Sequence, residues 1–270
     1  MNFLNQIARL PFVLGLWQKF PFGSVATRVE YGIFPYPHYA FGVYWSAVLA
    51  ARLNIPRITA IEFGVAGGRG LIALEQASAQ IEKEVGVGID VVGFDSGEGM
   101  PAPADYRDLP HIWGHGFYKM EPDKLRARLT RAKLVLGDVR ETTQAWLQKE
   151  QQAPIGFISF DLDYYSSTKI AFQVLQGPET SHLPRAICYF DDVASTELGC
   201  MNEFVGELLA IKEFNEISKD RKVCKIEQLR LCRHRWERWQ DRMYAFHNFS
   251  HPAYNTLVIP RTTSFSQLPL

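Results

Sequence analysis

From residue 58 onward, short apolar runs alternate with longer stretches whose apolar residues recur at helical spacing. The runs near 58–63, 89–95, 133–137, 155–161 and 186–191 predict strands, and the stretches near 69–84, 122–131, 141–149, 166–176 and 198–214 predict the helices between them. Strands separated by helices of this length predict an α/β fold with a doubly wound, Rossmann-like, mostly parallel sheet. Two later candidates, Lys225–Leu231 and Tyr254–Pro260, require no crossover helix and are expected as an antiparallel C-terminal edge hairpin. Upstream, a helix is predicted through Phe41–Leu53, after a break at Tyr36-Pro37-His38-Tyr39 and before the stop signal Asn54-Ile55-Pro56. The expected organisation is a helical N-terminal extension over 1–57, serving as a cap or oligomer contact, a main domain over 58–260 and a tail over 261–270.

Composition narrows the partners. The 270 residues, 47% of them hydrophobic, suffice for a full core, and a formal net charge of zero gives no whole-chain argument for nucleic acid or an anionic membrane. A small-molecule partner is therefore expected. Cys188, Cys200, Cys224 and Cys232 lack close CxxC pairing, which argues against a zinc site and for reduced thiols in a cytoplasmic protein. The apolar run Phe12–Trp17 is too short to span a bilayer. With Met1–Pro11 it reads as pieces of an amphipathic helix packed on the body or on a second copy of the chain, as in a homo-oligomer.

The chemistry-bearing residues sit at the predicted strand tips. Phe160-Asp161-Leu162-Asp163 and Tyr189-Phe190-Asp191-Asp192 each close an apolar run. On neighbouring parallel strands, four carboxylates would converge on the crevice where open α/β sheets bind ligands. Such crowding is unfavourable unless a cation joins the carboxylates or some take up protons, so a hard metal ion is the first expectation. The competing reading is structural: capping of the following Ser166-Ser167-Thr168 helix start for the first pair, and an ordinary acidic loop for the second.

A glycine cluster follows the first predicted strand, in Glu62-Phe63-Gly64-Val65-Ala66-Gly67-Gly68-Arg69-Gly70. Glycines let backbone N–H groups and a helix N-terminus approach a ligand. The acid at Glu62 would repel a phosphate and suits an amino group instead. Asp95, at the tip of the second strand, is placed to accept from ribose hydroxyls. The two features together suggest adenosine carrying a cationic amino-acid group, S-adenosylmethionine. Asp138, in Gly137-Asp138-Val139, either accepts from the adenine amino group or caps a helix, and both roles can hold at once.

With these segments assembled, the chain resembles class I S-adenosylmethionine-dependent methyltransferases, and among them the macrocin O-methyltransferase family. The matching residues are Glu62-x-Gly64-Val65-x-x-Gly68, Phe94-Asp95-Ser96-x-Glu98-Gly99-Met100-Pro101, Gly137 through Thr142, Asp161-x-Asp163-x-Tyr165-x-Ser167-Thr168 and Asp191-Asp192, in order over roughly residues 58 to 215. The resemblance implies a Mg²⁺-assisted methyltransferase acting on a hydroxyl of a sugar or polyhydroxy small molecule. It implies cofactor contacts from Glu62, Gly64, Val65, Gly68, Asp95, Ser96, Asp138, Val139 and Asp161. It also implies metal binding by Asp161, Asp191 and Asp192, with Asp163 as general base. On an extended strand Asp163 would point to the same side as Asp161. The chain departs from the family at Val193, where tyrosine is usual, and at Gly97, where an aromatic often stands; both lie toward the acceptor.

The competing functions are a metal-independent methyltransferase and a non-catalytic nucleotide-binding scaffold. His111 and His115 lie in a long connection of the kind that forms lids and binding loops, and are candidate substrate contacts against the plainer reading of surface residues. Arg233–Tyr244 mixes arginine and aromatic residues, but Glu237 and Asp241 alternate with the arginines, which favours a structural helix or oligomer contact over nucleic-acid binding.

Overall fold

The computed structural model describes residues 11–148, 152–194 and 196–259. Seven strands form one sheet: β1 (Arg57–Phe63), β2 (Gly88–Asp95), β3 (Lys133–Leu136), β4 (Ile155–Phe160), β5 (His182–Phe190), β6 (Arg221–Lys225) and β7 (Met243–Asn248), in the spatial order β3-β2-β1-β4-β5-β7-β6. The strands from β3 to β5 run parallel, and β7 runs antiparallel to both β5 and β6. The chain steps outward from β1 to β3 and then returns to β4. The strand order therefore reverses between β1 and β4, which opens a crevice beyond their C-terminal ends.

Each central strand is buried on both faces, as an all-parallel region requires. Ile58 and Ala60 of β1 face one core with Ile89, Val91 and Phe157, beneath the helices Pro37–Arg52 and Arg69–Val85. Ile61, Phe63, Val92, Ile158 and Phe160 face the other, beneath Val139–Leu147, Tyr165–Ala171 and Gly206–Ile217. Four phenylalanines at or one residue before the ends of the central strands lie in register: Phe94 against Phe63, Phe63 against Phe160, and Phe160 against Phe190. Their rings stack at centroid separations of 4.9, 5.5 and 4.8 Å. Offset stacking of this kind adds to the gain from burial, and it levels the four strand tips.

The helix Pro37–Arg52 belongs to the main core, since Ala40, Val43, Ala47 and Ala50 are all fully buried. Further upstream, Pro11–Lys19 packs through Leu14 and Trp17 against Ile33 and Tyr31. Phe12, Leu16 and Phe20 remain exposed. The first ten residues of the expected amphipathic segment, and the expected tail over 261–270, lie outside the described residues.

Several boundaries differ from the sequence expectation. The antiparallel hairpin forms, but from Arg221–Lys225 and Met243–Asn248 rather than Lys225–Leu231 and Tyr254–Pro260. β7 lies between two strands and buries Met243, Tyr244, Phe246 and Asn248, whereas Leu257 and Ile259 of the later run are more than half exposed. The expected 198–214 helix starts only at Gly206, whose φ of +58° interrupts the helical path, and ends at Ile217. The expected 122–131 helix spans only Pro122–Arg126. The 233–244 segment forms a 3₁₀ helix over Arg238–Arg242 and enters β7 at Met243 and Tyr244, in place of an α-helix. Its buried Arg233 pairs with Glu30 at 2.8 Å and binds the carbonyl of Val29. Phe160→Ala should lower unfolding free energy by about 3–5 kcal/mol in urea titration, because it deletes the centre of the ring stack. Replacing the exposed Ile217 by Ala should change it by less than about 0.5 kcal/mol.

Candidate active site

The crevice beyond β1 and β4 is a cleft of about 950 Å³. All of the residues singled out from the sequence as cofactor, metal or base candidates line it: Glu62, Gly64, Val65, Gly68, Asp95, Ser96, Asp138, Val139, Asp161, Asp163, Asp191 and Asp192. His115 also lines it, while the ring of His111 faces the carbonyl of Leu198 at 3.2 Å and contributes nothing to the wall.

Backbone hydrogen bonds carry the sheet slightly past its strands and fix the first wall. The N–H groups of Gly64, Gly137 and Asp161 each donate at 3.0 Å, to the carbonyls of Phe94, Asp95 and Phe63 respectively. Gly64 has φ +84°, and a Cβ there would lie 1.7 Å from the carbonyl oxygen of Asp161. A side chain is excluded both by conformation and by the neighbouring backbone. Gly68, at φ +78°, opens the helix Arg69–Val85 with its side-chain position occupied by Leu125. The turn therefore presents bare backbone to the cleft.

Glu62 is the buried acid beneath this turn, only 2% exposed. The Tyr39 hydroxyl donates to its Oε1 at 2.7 Å and in turn accepts from the Ser159 hydroxyl at 3.2 Å. Oε2 is buried with no hydrogen-bond partner among the described residues. Burial pushes the Glu62 carboxyl up to about 8, against the Tyr39 hydrogen bond and with a further push from Asp95. An orphaned, desolvated acceptor of this kind fits an ammonium group entering from the cleft.

Asp95 braces the same wall, accepting from the N–H of Ala66 at 2.8 Å through one oxygen and from that of Gly97 at 2.7 Å through the other. It thereby ties the glycine turn to the loop after β2. The Ser96 hydroxyl donates to the Gly99 carbonyl at 2.9 Å. Asp138 caps the helix Val139–Leu147 through the N–H of Arg140 at 2.7 Å, so the capping role holds, and Asp138 also lines the cleft.

Beside the glycine turn, the tips of β4 and β5 are acidic. Ligand oxygens of Asp161, Asp163 and Asp192 all lie within 4.8 Å of one another. The set that converges is thus not the expected Asp161, Asp191 and Asp192. Asp191 Oδ1 accepts from the Tyr189 hydroxyl at 2.6 Å and from Arg242 at 2.5 Å, which holds that carboxylate in an ion pair. Asp163 takes its place, and not by strand alternation: β4 ends at Phe160, and Asp163 adopts a left-handed backbone at φ +58°, with its N–H donating to Asp192 Oδ2 at 3.2 Å. Aspartate tolerates this conformation better than most residues.

Crowded, desolvated carboxylates resist ionisation. Burial, then the charges of Asp192, Asp191, Asp163 and Glu62, holds Asp161 well above the usual carboxylate range. Burial, then Asp163 and Asp191, does the same for Asp192. Burial and the charge of Asp191 push Asp163 up to about 7. A donor set of carboxylate oxygens, without histidine or cysteine, fits a hard divalent cation such as Mg²⁺.

Sequence reasoning missed three residues that shape the site. Tyr39, on the helix Pro37–Arg52, carries the hydrogen bond to Glu62; its place in the aromatic break before that helix hid it. Arg242 anchors Asp191 from within the basic and aromatic segment. Glu207 is fully buried in the first turn of Gly206–Ile217 and accepts from the Asp192 N–H at 3.0 Å. An acid in a first turn is ordinary helix chemistry, so nothing in the sequence marked it.

The fold recurs among solved structures. The chain superposes on the calicheamicin methyltransferase CalS11 with a TM-score of 0.52 at 20% identity, over 88% of this chain and 90% of that one. It superposes on the O-methyltransferase NovP with a TM-score of 0.50 at 14% identity, over 78% of this chain and 80% of that one. At these identities the likeness is one of fold. No protein-family model matches the sequence, and neither does any curated protein.

The raised carboxyls give the ligand-free protein a defined pH response. An acid whose native pKa is raised contributes stability that is present below its unfolded value and lost as pH rises through the native value. The Glu62 and Asp163 carboxyls, at about 8 and about 7, therefore lose their contribution as pH rises from the ordinary carboxylate range through those native values. Buried His38 and His182, both lowered to about 3 by desolvation, act oppositely and only below their unfolded value of 6.5. In EDTA, the unfolding free energy should fall by on the order of 2 kcal/mol between pH 6.5 and 8.5, measured by urea titration at each pH.

Proposed function

We propose that this chain is an S-adenosylmethionine-dependent, Mg²⁺-assisted O-methyltransferase acting on a hydroxyl of a sugar or related polyhydroxy small molecule. One observation carries the reading: a bare-backbone glycine turn with an orphaned acid beneath it and a three-carboxylate corner line a single cleft. The shared fold with CalS11 and NovP supports it, and so do the sequence motifs at the strand tips. The absence, among the described residues, of a helix long and apolar enough to cross a membrane is compatible with a small-molecule acceptor, and the free thiols suit a reducing, cytoplasmic setting.

In this reading Glu62 receives the amino group of the donor, backbone at Gly64 to Gly68 lies along its amino-acid portion, and Asp95 accepts from the ribose. Val65, Ser96, Val139 and the adjoining edge of Asp161 complete the donor wall. When bound, the donor supplies an electrophilic methyl group, and Mg²⁺ lowers the pKa of the acceptor hydroxyl. Asp161 and Asp192 hold the cation, with Asp163 at the third corner; Asp191 stays with Arg242 and contributes charge.

Asp163 takes the acceptor's proton. Burial and the charge of Asp191 raise this carboxyl in the metal-free protein, and a divalent cation at Asp161 and Asp192 would favour its ionised, proton-accepting form. The left-handed turn brings its carboxylate to the corner of the cleft, where an acceptor oxygen can be aligned with the methyl group for in-line displacement. Glu62 keeps its partner through Tyr39, so donor placement and proton removal rest on separate residues.

Methylation of nucleotide sugars and glycosides, followed with radiolabelled S-adenosylmethionine, should require Mg²⁺ and stop on addition of EDTA. Asp163→Asn suits the left-handed backbone and should lower kcat by about 10²–10⁴ while leaving S-adenosylhomocysteine affinity within about threefold. Unchanged turnover in that variant would remove Asp163 as the base. Failure of S-adenosylhomocysteine to raise the melting temperature at saturating concentration would remove the methyltransferase reading itself.

A further inference from the structure

Glu207 is a buried carboxylate that the proposed reaction leaves unused. It has no solvent exposure, and among the described residues no arginine or lysine forms an ion pair with it. Its Oε2 accepts the N–H of Asp192, and its Oε1 is buried without a hydrogen-bond partner among the described residues. The charges of Asp192, Asp161 and Asp191 act on it, and it acts in turn on the Tyr244 hydroxyl of β7. A hydrophobic residue of similar size would satisfy the core at that position at lower cost, so retention of an acid there calls for a reason.

The reason lies in the bond to Asp192. The backbone at Asp192 has φ −102° and ψ 23°, which breaks the helical path that Asp191 and Val193 follow. This bend separates two adjacent carboxylates. Asp191 turns out to Arg242 and Tyr189, whereas Asp192 turns in to the corner with Asp161 and Asp163. The Asp192 N–H is buried at that bend and Glu207 is its acceptor; an acceptor withdrawn would leave the donor unsatisfied and the bend free to relax.

We infer that Glu207 is a positioning residue for the cation: its side-chain oxygen, reaching from the start of the helix Gly206–Ile217, holds the Asp192 backbone so that the Asp192 carboxylate faces Asp161 and Asp163. The inference rests on a divalent cation occupying that corner. What matters on this account is an acceptor at the right reach, not a negative charge. A neutral side chain of the same length serves, and a charged one that is shorter does not. Loss of such an outer partner of a metal ligand ordinarily weakens metal binding roughly tenfold to a hundredfold.

The test uses Mn²⁺ as the probe, titrated into full-length protein without methyl donor and followed by the electron paramagnetic resonance of free Mn²⁺. S-adenosylhomocysteine affinity, measured in parallel without metal, reports whether each variant keeps its fold. Glu207→Gln should bind Mn²⁺ within about threefold of the parent, whereas Glu207→Asp and Glu207→Leu should bind it roughly tenfold or more weakly, with S-adenosylhomocysteine affinity unchanged in all. If Glu207→Leu does not fold, the Gln and Asp variants still decide. The reverse order, with Asp retaining and Gln losing Mn²⁺, would assign Glu207 a charge role and overturn the inference, as would equal Mn²⁺ affinity in every variant. A parent protein that binds S-adenosylhomocysteine but no Mn²⁺ would overturn the cation reading and this inference with it, leaving the donor site standing.

Discussion

The in-register stack of Phe94, Phe63, Phe160 and Phe190 is the constraint on which the rest of the molecule depends. Parallel strands have no turn to fix their relative height, so register comes from side-chain packing across the sheet. Four aromatic rings at matched positions supply it. The residues that follow them, Asp95, Gly64, Asp161 and Asp191, consequently emerge at one level, and the ladder hydrogen bonds of Gly64 and Asp161 continue past the last paired residues. A shift of one residue in any of these strands would move both the ring and the functional residue behind it.

What this platform carries is energetically unfavourable by itself. Glu62, Asp163, Asp192 and Glu207 are buried acids and Asp161 is partly buried, and Arg242 beside them pairs with Asp191. Desolvation is the largest cause of the raised pKa in each of the five. The protein tolerates the arrangement because the ring stack and the two cores around the sheet supply the stability that the site withholds. Two positive ligands, an ammonium at Glu62 and a divalent cation at the carboxylate corner, would relieve it from opposite ends. That pair of ligands is the one the proposed metal-assisted methyl transfer needs.

Much of this was legible in the sequence because strand tips are where chain pattern and chemistry coincide. An apolar run ending in Asp, or in Gly after an acid, locates both a strand and a position at its tip, and the predicted cofactor, metal and base candidates all line one cleft. Local geometry beyond the strand end was not legible. The expectation for Asp163 assumed an extended chain, and a left-handed residue brought it to the corner instead. Asp191 and Asp192 read as equivalent neighbours, and only the bend at Asp192 and the reach of Arg242 from a distant segment separate them. The edge strands were misplaced for a related reason: Met243–Asn248 owes its place to insertion between β5 and β6, whereas the run near 254–259 joins no strand of the sheet. Glu207 and Tyr39 act through partners remote in sequence, and pattern analysis of a single chain cannot register such pairs.

The central claim is that one cleft holds a methyl donor over the glycine turn and a divalent cation at the corner of Asp161, Asp163 and Asp192. Anomalous diffraction from crystals grown with S-adenosylhomocysteine and Mn²⁺ tests it most directly. The account predicts a manganese peak bounded by those three carboxylates, with the ammonium of the ligand against Glu62 and its ribose against Asp95. Absence of metal from that corner with the donor site filled, or a ligand seated elsewhere in the molecule, would contradict it.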